Sequence, residues 1–92
     1  MPAYRLVIAK SAFKQIEKID RSQRNRVRDA LIKLADDPYP EGKKWKRLHG
    51  TGGEFVRLRV GDYRVMYAVA EHSIQILGVV HRRDLDKWIR QL

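Results

Sequence analysis

The chain has 92 residues, enough for one modest hydrophobic core, and reads as a single domain over 1–92. Twenty Lys and Arg against eleven Asp and Glu give a formal net charge of +9 and a pI near 10.3. On so small a surface that charge attracts polyanions, with nucleic acid the first candidate, an acidic protein the second and anionic lipid a distant third. The lack of cysteine excludes a disulfide framework, a thiol nucleophile and a thiolate zinc site, while a hydrophobic content of 43% argues against disorder. The first apolar stretch is broken by Lys10, too early for a signal peptide or a membrane span, so a soluble cytoplasmic protein with no membrane partner is expected.

Residues 4–9 (YRLVIA) are β-rich and short, and predict a strand. Ala12, Phe13, Ile16 and Ile19 then share one helical face as core positions, with Lys14, Gln15 and Lys18 elsewhere. Asp20 is placed to begin a second helix, with Gln23 as its capping-box partner. Val27, Ala30, Leu31 and Leu34 follow at amphipathic spacing, and Asp36-Asp37-Pro38 stops the helix, because proline disfavours helical backbone in the residue before it. So short a connection makes an αα-hairpin, and the Lys and Arg of residues 10–33 read as solvated helix faces.

Residues 38–54 are loop-rich, around Pro38, Pro40, Gly42 and Gly50-Thr51-Gly52-Gly53, with a basic segment at 43–48 that is a candidate short strand. Residues 55–60 and 63–70 alternate with period 2 about Gly61-Asp62, a hairpin turn of the glycine-first type. Residues 73–81 form a nearly all-apolar strand suited to an interior position, and residues 84–91 a short terminal helix. The fold class is therefore α+β: an N-terminal strand and αα-hairpin packed on a small antiparallel-rich sheet, in the order β-α-α-β-β-β, closed by a short C-terminal helix.

The Gly61-Asp62 turn sets Val60 against Tyr63, Arg59 against Arg64, Leu58 against Val65 and Arg57 against Met66. One face then carries Val56, Leu58, Val60, Tyr63, Val65 and Tyr67 as core, and the other carries Arg57, Arg59 and Arg64 with Phe55 beside them. Two arginines directly opposite destabilise a sheet by up to ~1 kcal/mol unless an anion bridges them, and a local rule broken in one place is often broken for function. Continuing the alternation sets Arg64 against Val79, puts Ile74, Ile76, Gly78 and Val80 on the core face, and brings Gln75, Leu77, Val79 and His81 to the arginine face, with Arg82 and Arg83 at the strand's end. Arg57, Arg59, Arg64, His81 and Arg82 would thus converge.

RNA cleavage through the 2′-hydroxyl asks for such an inventory. Arginine holds phosphate oxygens bidentately and stays charged, and histidine is the side chain suited to proton transfer near neutrality. On spacing alone, the arginines serve binding at least as well as catalysis, and His81 is as readily structural. His49 and His72 read as solvated loop residues. Trp45, among Lys43, Lys44, Lys46 and Arg47, either stacks a base or anchors its loop, and Trp88 either packs or stacks. The Gly50-Thr51-Gly52-Gly53 run lacks the Gly-Lys-Ser/Thr ending of a nucleotide loop, and no metal-binding cluster stands out.

The ordered series Lys46-Arg47-Leu48-His49-Gly50, then residues 56–67 (VRLRVGDYRVMY), then Val79-Val80-His81-Arg82-Arg83 resembles the RelE branch of the RelE/ParE toxin superfamily. The resemblance covers nearly the whole chain. It implies the toxin of a toxin–antitoxin system: an endoribonuclease that cuts mRNA in the ribosomal A site, needs no metal or cofactor, and is silenced by a cognate antitoxin in a hetero-oligomer. By position, Arg57 and Arg64 would bind and stabilise the scissile phosphate. Arg82 would do likewise or serve the leaving group, and His81 would be a proton-transfer group. Lys44 and Lys46, with Arg47, Arg59, Arg83 and Trp88, would contact RNA or the ribosome. Many relatives carry a tyrosine a few residues beyond the His-Arg pair; here Asp86 or Trp88 stands there. Two alternatives share the scaffold: a ParE-like toxin that binds and inhibits DNA gyrase, and a non-catalytic RNA-binding relative.

Overall fold

The computed structural model describes residues 3–39, 44–48 and 55–92. In chain order these form strand β1 (Arg5–Ile8), helices α1 (Lys10–Glu17) and α2 (Arg21–Asp36), and strands β2 (Trp45–Arg47), β3 (Phe55–Val60), β4 (Tyr63–Val69) and β5 (Ser73–His81). A 3-10 turn (Arg82–Asp84) and helix α3 (Leu85–Arg90) follow. The strands make one sheet in the order β1-β5-β4-β3-β2, antiparallel except that β1 runs parallel to β5. This is the α+β architecture expected, with residues 45–47 of the basic segment forming the short edge strand β2. Pro40, Gly42, Lys43, His49 and Gly50-Thr51-Gly52-Gly53 lie outside the described residues.

Helices α1 and α2 cover one face of the sheet. Ala12 of α1, Ile19 of the connection, and Val27, Leu31 and Leu34 of α2 meet Val56, Leu58, Val65, Tyr67, Ile74, Ile76 and Val79 in one buried cluster. Each such aliphatic side chain contributes roughly 1.5–3 kcal/mol by leaving water. The α2 stripe lands as its spacing predicts, and the helix stops at Asp37, which is extended (φ −149°, ψ 106°) ahead of Pro38. Asp20 occupies the N-cap position, but its side chain makes no capping bond. Gln23 instead accepts a hydrogen bond from Arg26. Deep in the core, the Tyr67 hydroxyl donates to the Pro38 carbonyl, tying the end of α2 to the middle of the sheet.

The β3–β4 hairpin has the register expected from its turn, Arg59 opposite Arg64 included. Gly61 is at φ +59°, and no non-glycine among the described residues has positive φ, so only the first turn position is left-handed, as a type II′ turn requires.

The β4–β5 pairing departs from simple alternation. Met66 pairs with Gly78 but Tyr67 pairs with Ile76, so Leu77 is an extra residue, a β-bulge. Beyond it every side chain of β5 changes sides relative to the sequence reading. Arg64 faces Val80, not Val79; Val79 enters the core at 2% exposure; Gly78 and Val80 turn to the arginine face; and His81 pairs with Tyr63. The reason lies across the sheet. A Cβ on Gly78 would stand 2.5 Å from Nε1 of Trp88, so α3 packs its indole directly onto the strand there. Met66, Gly78's partner, is fully buried yet outside the main core cluster, in keeping with a cover on this second face.

Just past the bulge, the Val79 amide donates to Oε1 of Gln15 at 2.8 Å. A buried amide must find a partner, and here α1 supplies it. With Gln15 turned toward the sheet, α1 presents Ala12 and Ile16 to the core, Ile19 joins them just beyond its end, and Phe13 is left 55% exposed, against the expectation that Phe13 is core and Gln15 polar surface.

Two outcomes follow for stability. Gly78→Ala should force the Trp88 indole off the sheet and cost ~1–3 kcal/mol, the usual range for overpacking, measured by urea unfolding. The Tyr67 phenol is pushed well above its ordinary range near 10 by burial first, then by Tyr39 and Asp37, against a smaller opposing effect of Arg47. Its folded value is raised, so its contribution is complete below pH ~10 and is lost as pH rises beyond. Tyr67→Phe should therefore lose stability less steeply than the native chain above pH ~10, by up to ~1.4 kcal/mol per pH unit.

Candidate functional site

The face of the sheet opposite α1 and α2 carries the cations. Strand pairing sets Lys46 beside Arg57 and Arg59 beside Arg64, with the Lys44 carbonyl accepting from the Arg59 amide at 2.8 Å. The hairpin turn organises the group. Nη1 of Arg64 donates to the carbonyls of Gly61 (3.1 Å) and Tyr63 (2.9 Å), which fixes its guanidinium against the turn. The Arg82 amide donates to the Asp62 carbonyl at 2.7 Å, extending the ladder beyond β5, and Nε of Arg82 lies 3.8 Å from the Asp62 carboxylate.

The electrostatic consequence falls on Arg64. Burial first, then the charges of Arg57, Arg59 and Arg82, hold it below the ordinary guanidinium range, with Asp62 opposing. Arginine does not give up its proton in water, so the lowering expresses lost hydration first and repulsion by its neighbours second, both of which a bound anion would offset. A groove of about 800 Å³ lies between α2 and the turn end of the hairpin, lined by Arg26, Lys33 and Asp29 of α2 and by Lys44, Arg59, Asp62, Arg64 and Arg82. Helical period marks the two α2 cations as solvated surface, because it carries no information about which loop a polar face will meet.

Two predicted site residues take other positions, and Trp45 takes the anchoring one of its two expected roles. His81 does not join the arginines: the bulge sets it opposite Tyr63, on the helix-bearing side, with the two rings edge to face at 5.5 Å. Its Nδ1 accepts from the Arg83 amide at 3.2 Å, so the imidazole caps the 3-10 turn that carries Arg82. Arg47 pairs opposite core residue Val56 and stacks over the Tyr39 ring at 5.5 Å, away from the cluster. Trp45, packed on the core and 5.2 Å from Tyr39, anchors its strand. Trp88 is on the arginine side of the sheet, half-buried against Gly78, while Arg83 is exposed on the 3-10 turn. His72 is exposed next to Glu71, with Nε2 3.7 Å from the carboxylate.

A family model for the ParE toxin of type II toxin–antitoxin systems matches residues 6–86, nearly the whole chain. The chain belongs to the RelE/ParE toxin superfamily. RelE in the archaeal RelE–RelB complex from Pyrococcus horikoshii OT3 is 32% identical, with a TM-score of 0.75 over 87% of this toxin and 96% of that chain. The RelB–RelE complex from Methanococcus jannaschii (22% identity, TM-score 0.73, 89% and 96% coverage) shares the fold. So does isolated RelE from E. coli (20% identity, TM-score 0.70, 98% and 100% coverage). No curated protein gives a significant sequence match.

If His81 positions Arg82 through the turn, an asparagine in its place should do the same, because its side-chain oxygen is a good N-cap acceptor. Hydrogen exchange at the Arg83 amide should rise several-fold in His81→Ala, roughly the loss expected for a cap worth ~1 kcal/mol, and stay near the native rate in His81→Asn.

Proposed function

We propose that this toxin is an endoribonuclease that cuts mRNA in the ribosomal A site. The observation carrying the reading is Arg64: a guanidinium pinned to the hairpin turn, within electrostatic reach of three more, Arg57, Arg59 and Arg82. Such a cluster matches a phosphodiester whose negative charge grows during reaction. The 2′-hydroxyl gives its proton to water and its oxygen attacks the adjacent phosphorus. The bond to the 5′-oxygen breaks and that oxygen takes a proton from solvent, leaving a 2′,3′-cyclic phosphate and a 5′-hydroxyl. Arg57 and Arg64 would hold the non-bridging oxygens by charge-assisted forks, and Arg82 would neutralise the phosphorane or the departing oxygen. Charge neutralisation by side chains leaves this scheme with no need of a cofactor.

Lys44, Lys46 and Arg59 extend the positive face along the path of the RNA backbone, and Arg83 and Trp88 flank it as further RNA or ribosome contacts. The register of β5 supports a role for His81 in positioning Arg82 ahead of one in carrying a proton. The partner is a cognate antitoxin, an acidic chain covering part of this surface, as the RelB complexes of the P. horikoshii and M. jannaschii relatives support. The match to the ParE family model supports a second reading, a toxin acting on DNA gyrase.

Expression under tight control, with mRNA 5′ ends mapped in translating cells, tests these readings. New 5′-hydroxyl ends within codons are expected, reduced ~10²–10³-fold by Arg64→Ala, the usual cost of removing one donor to a developing oxyanion. His81→Asn should keep the cuts. Their loss in that variant would return proton transfer to His81, and intact mRNA with trapped gyrase–DNA complexes would replace the first reading by the second.

A further inference from the structure

The arginine face has a second chemical character at its other end. Phe55 opens β3 and projects to the same side as Arg57 and Arg59, with which it alternates. It is absent from the residues packed on the main core and is only half-buried. Its backbone is held on both sides: it pairs with Ala68 on β4, and its carbonyl accepts from the Leu48 amide at 2.8 Å. The cross-strand neighbour Ala68 is small, and the next residue along the row, Gln75 on β5, is exposed. The ring therefore sits on a firm backbone between Leu48 of the edge strand's end, 4% exposed, and the small Ala68, so it is braced on one side and has only a methyl group on the other. Among the described aromatic residues of β3 and β4, Tyr63 and Tyr67 face the helices, so Phe55 alone shares the arginine side.

Phe55 lies two residues from Arg57 along one strand face, a Cα separation of about 7 Å at the usual rise. That is the scale on which a nucleotide separates its phosphate from its base. From this juxtaposition we infer that Phe55 is a stacking platform for the nucleobase next to the phosphate held by Arg57 and Arg64. Stacking is tolerant of base identity because every base presents a π-face, and it would orient the sugar so that its 2′-hydroxyl meets the phosphorus. This inference rests on the RNA-cleaving reading and adds to it a contact that phosphate binding alone does not require.

The test uses short single-stranded RNAs, 2′-O-methylated to block cleavage, each with one 2-aminopurine at a different position. The native toxin should quench one position strongly. Phe55→Tyr should keep that pattern. Phe55→Leu, which retains an apolar side chain, should abolish the position-specific quench and weaken binding roughly 5-fold or more, while its urea midpoint stays close to the native one. A quench that survives in Phe55→Leu, for example through Trp88, or a native pattern with no preferred position, overturns the inference and leaves the mRNA cuts unaffected. Failure of the native toxin both to bind these RNAs and to cut mRNA would instead remove the RNA-cleaving reading, and the stacking role with it.

Discussion

One extra residue in β5 determines how the rest of this domain fits together. The Leu77 bulge lets the strand turn Gly78 toward α3 and Val79 toward the core, and the Val79 amide just beyond it is taken up by Gln15 of α1. A helix on each side of the sheet is thus keyed to the same short stretch: Trp88 fits where a side chain is missing, and Gln15 fits where an amide needs an acceptor. Because a buried amide without a partner costs ~1–3 kcal/mol, the rotation of α1 is not free, and Phe13 is left outside as a consequence.

The same irregularity sorts the functional side chains. Arg57, Arg59 and Arg64 owe their common face to β3 and β4 alone, whose register follows from the Gly61-Asp62 turn. Arg82 reaches them because its amide and guanidinium both engage Asp62. The turn therefore does more than reverse the chain, since its carbonyls and carboxylate hold two of the four arginines. His81, one residue earlier on a bulged strand, falls on the opposite side and serves the turn that carries Arg82. The burial and charge repulsion that fall on Arg64 are offset by the apolar packing of Val56, Leu58, Val65 and Tyr67 on the hairpin's other face.

Belonging to the RelE/ParE superfamily accounts for the scaffold and for the biological setting of a toxin. It does not by itself choose between RNA and gyrase, since one framework serves both. What favours RNA is local chemistry: arginines paired across β3 and β4, a groove toward α2 in which cations outnumber the two carboxylates, and an aromatic ring on the arginine face.

Legible from the residues alone were the strand–helix–helix–sheet order, the stop at Asp37-Pro38, the α2 stripe, and the hairpin register that puts Arg59 opposite Arg64. Each is set by near neighbours: proline sterics, a 3.6-residue period, or a two-residue turn whose glycine takes φ +59°. Long-range packing set the face of His81, the exposure of Phe13, the inward turn of Gln15 and the placing of Lys33 and Lys44 along one groove. Those depend on Trp88 docking against Gly78 and on helices meeting strands far along the chain, and strict alternation cannot register an inserted residue. The glycine in an otherwise apolar strand was the one local sign, since a glycine there marks a bulge or a close approach, and at Gly78 it marks both.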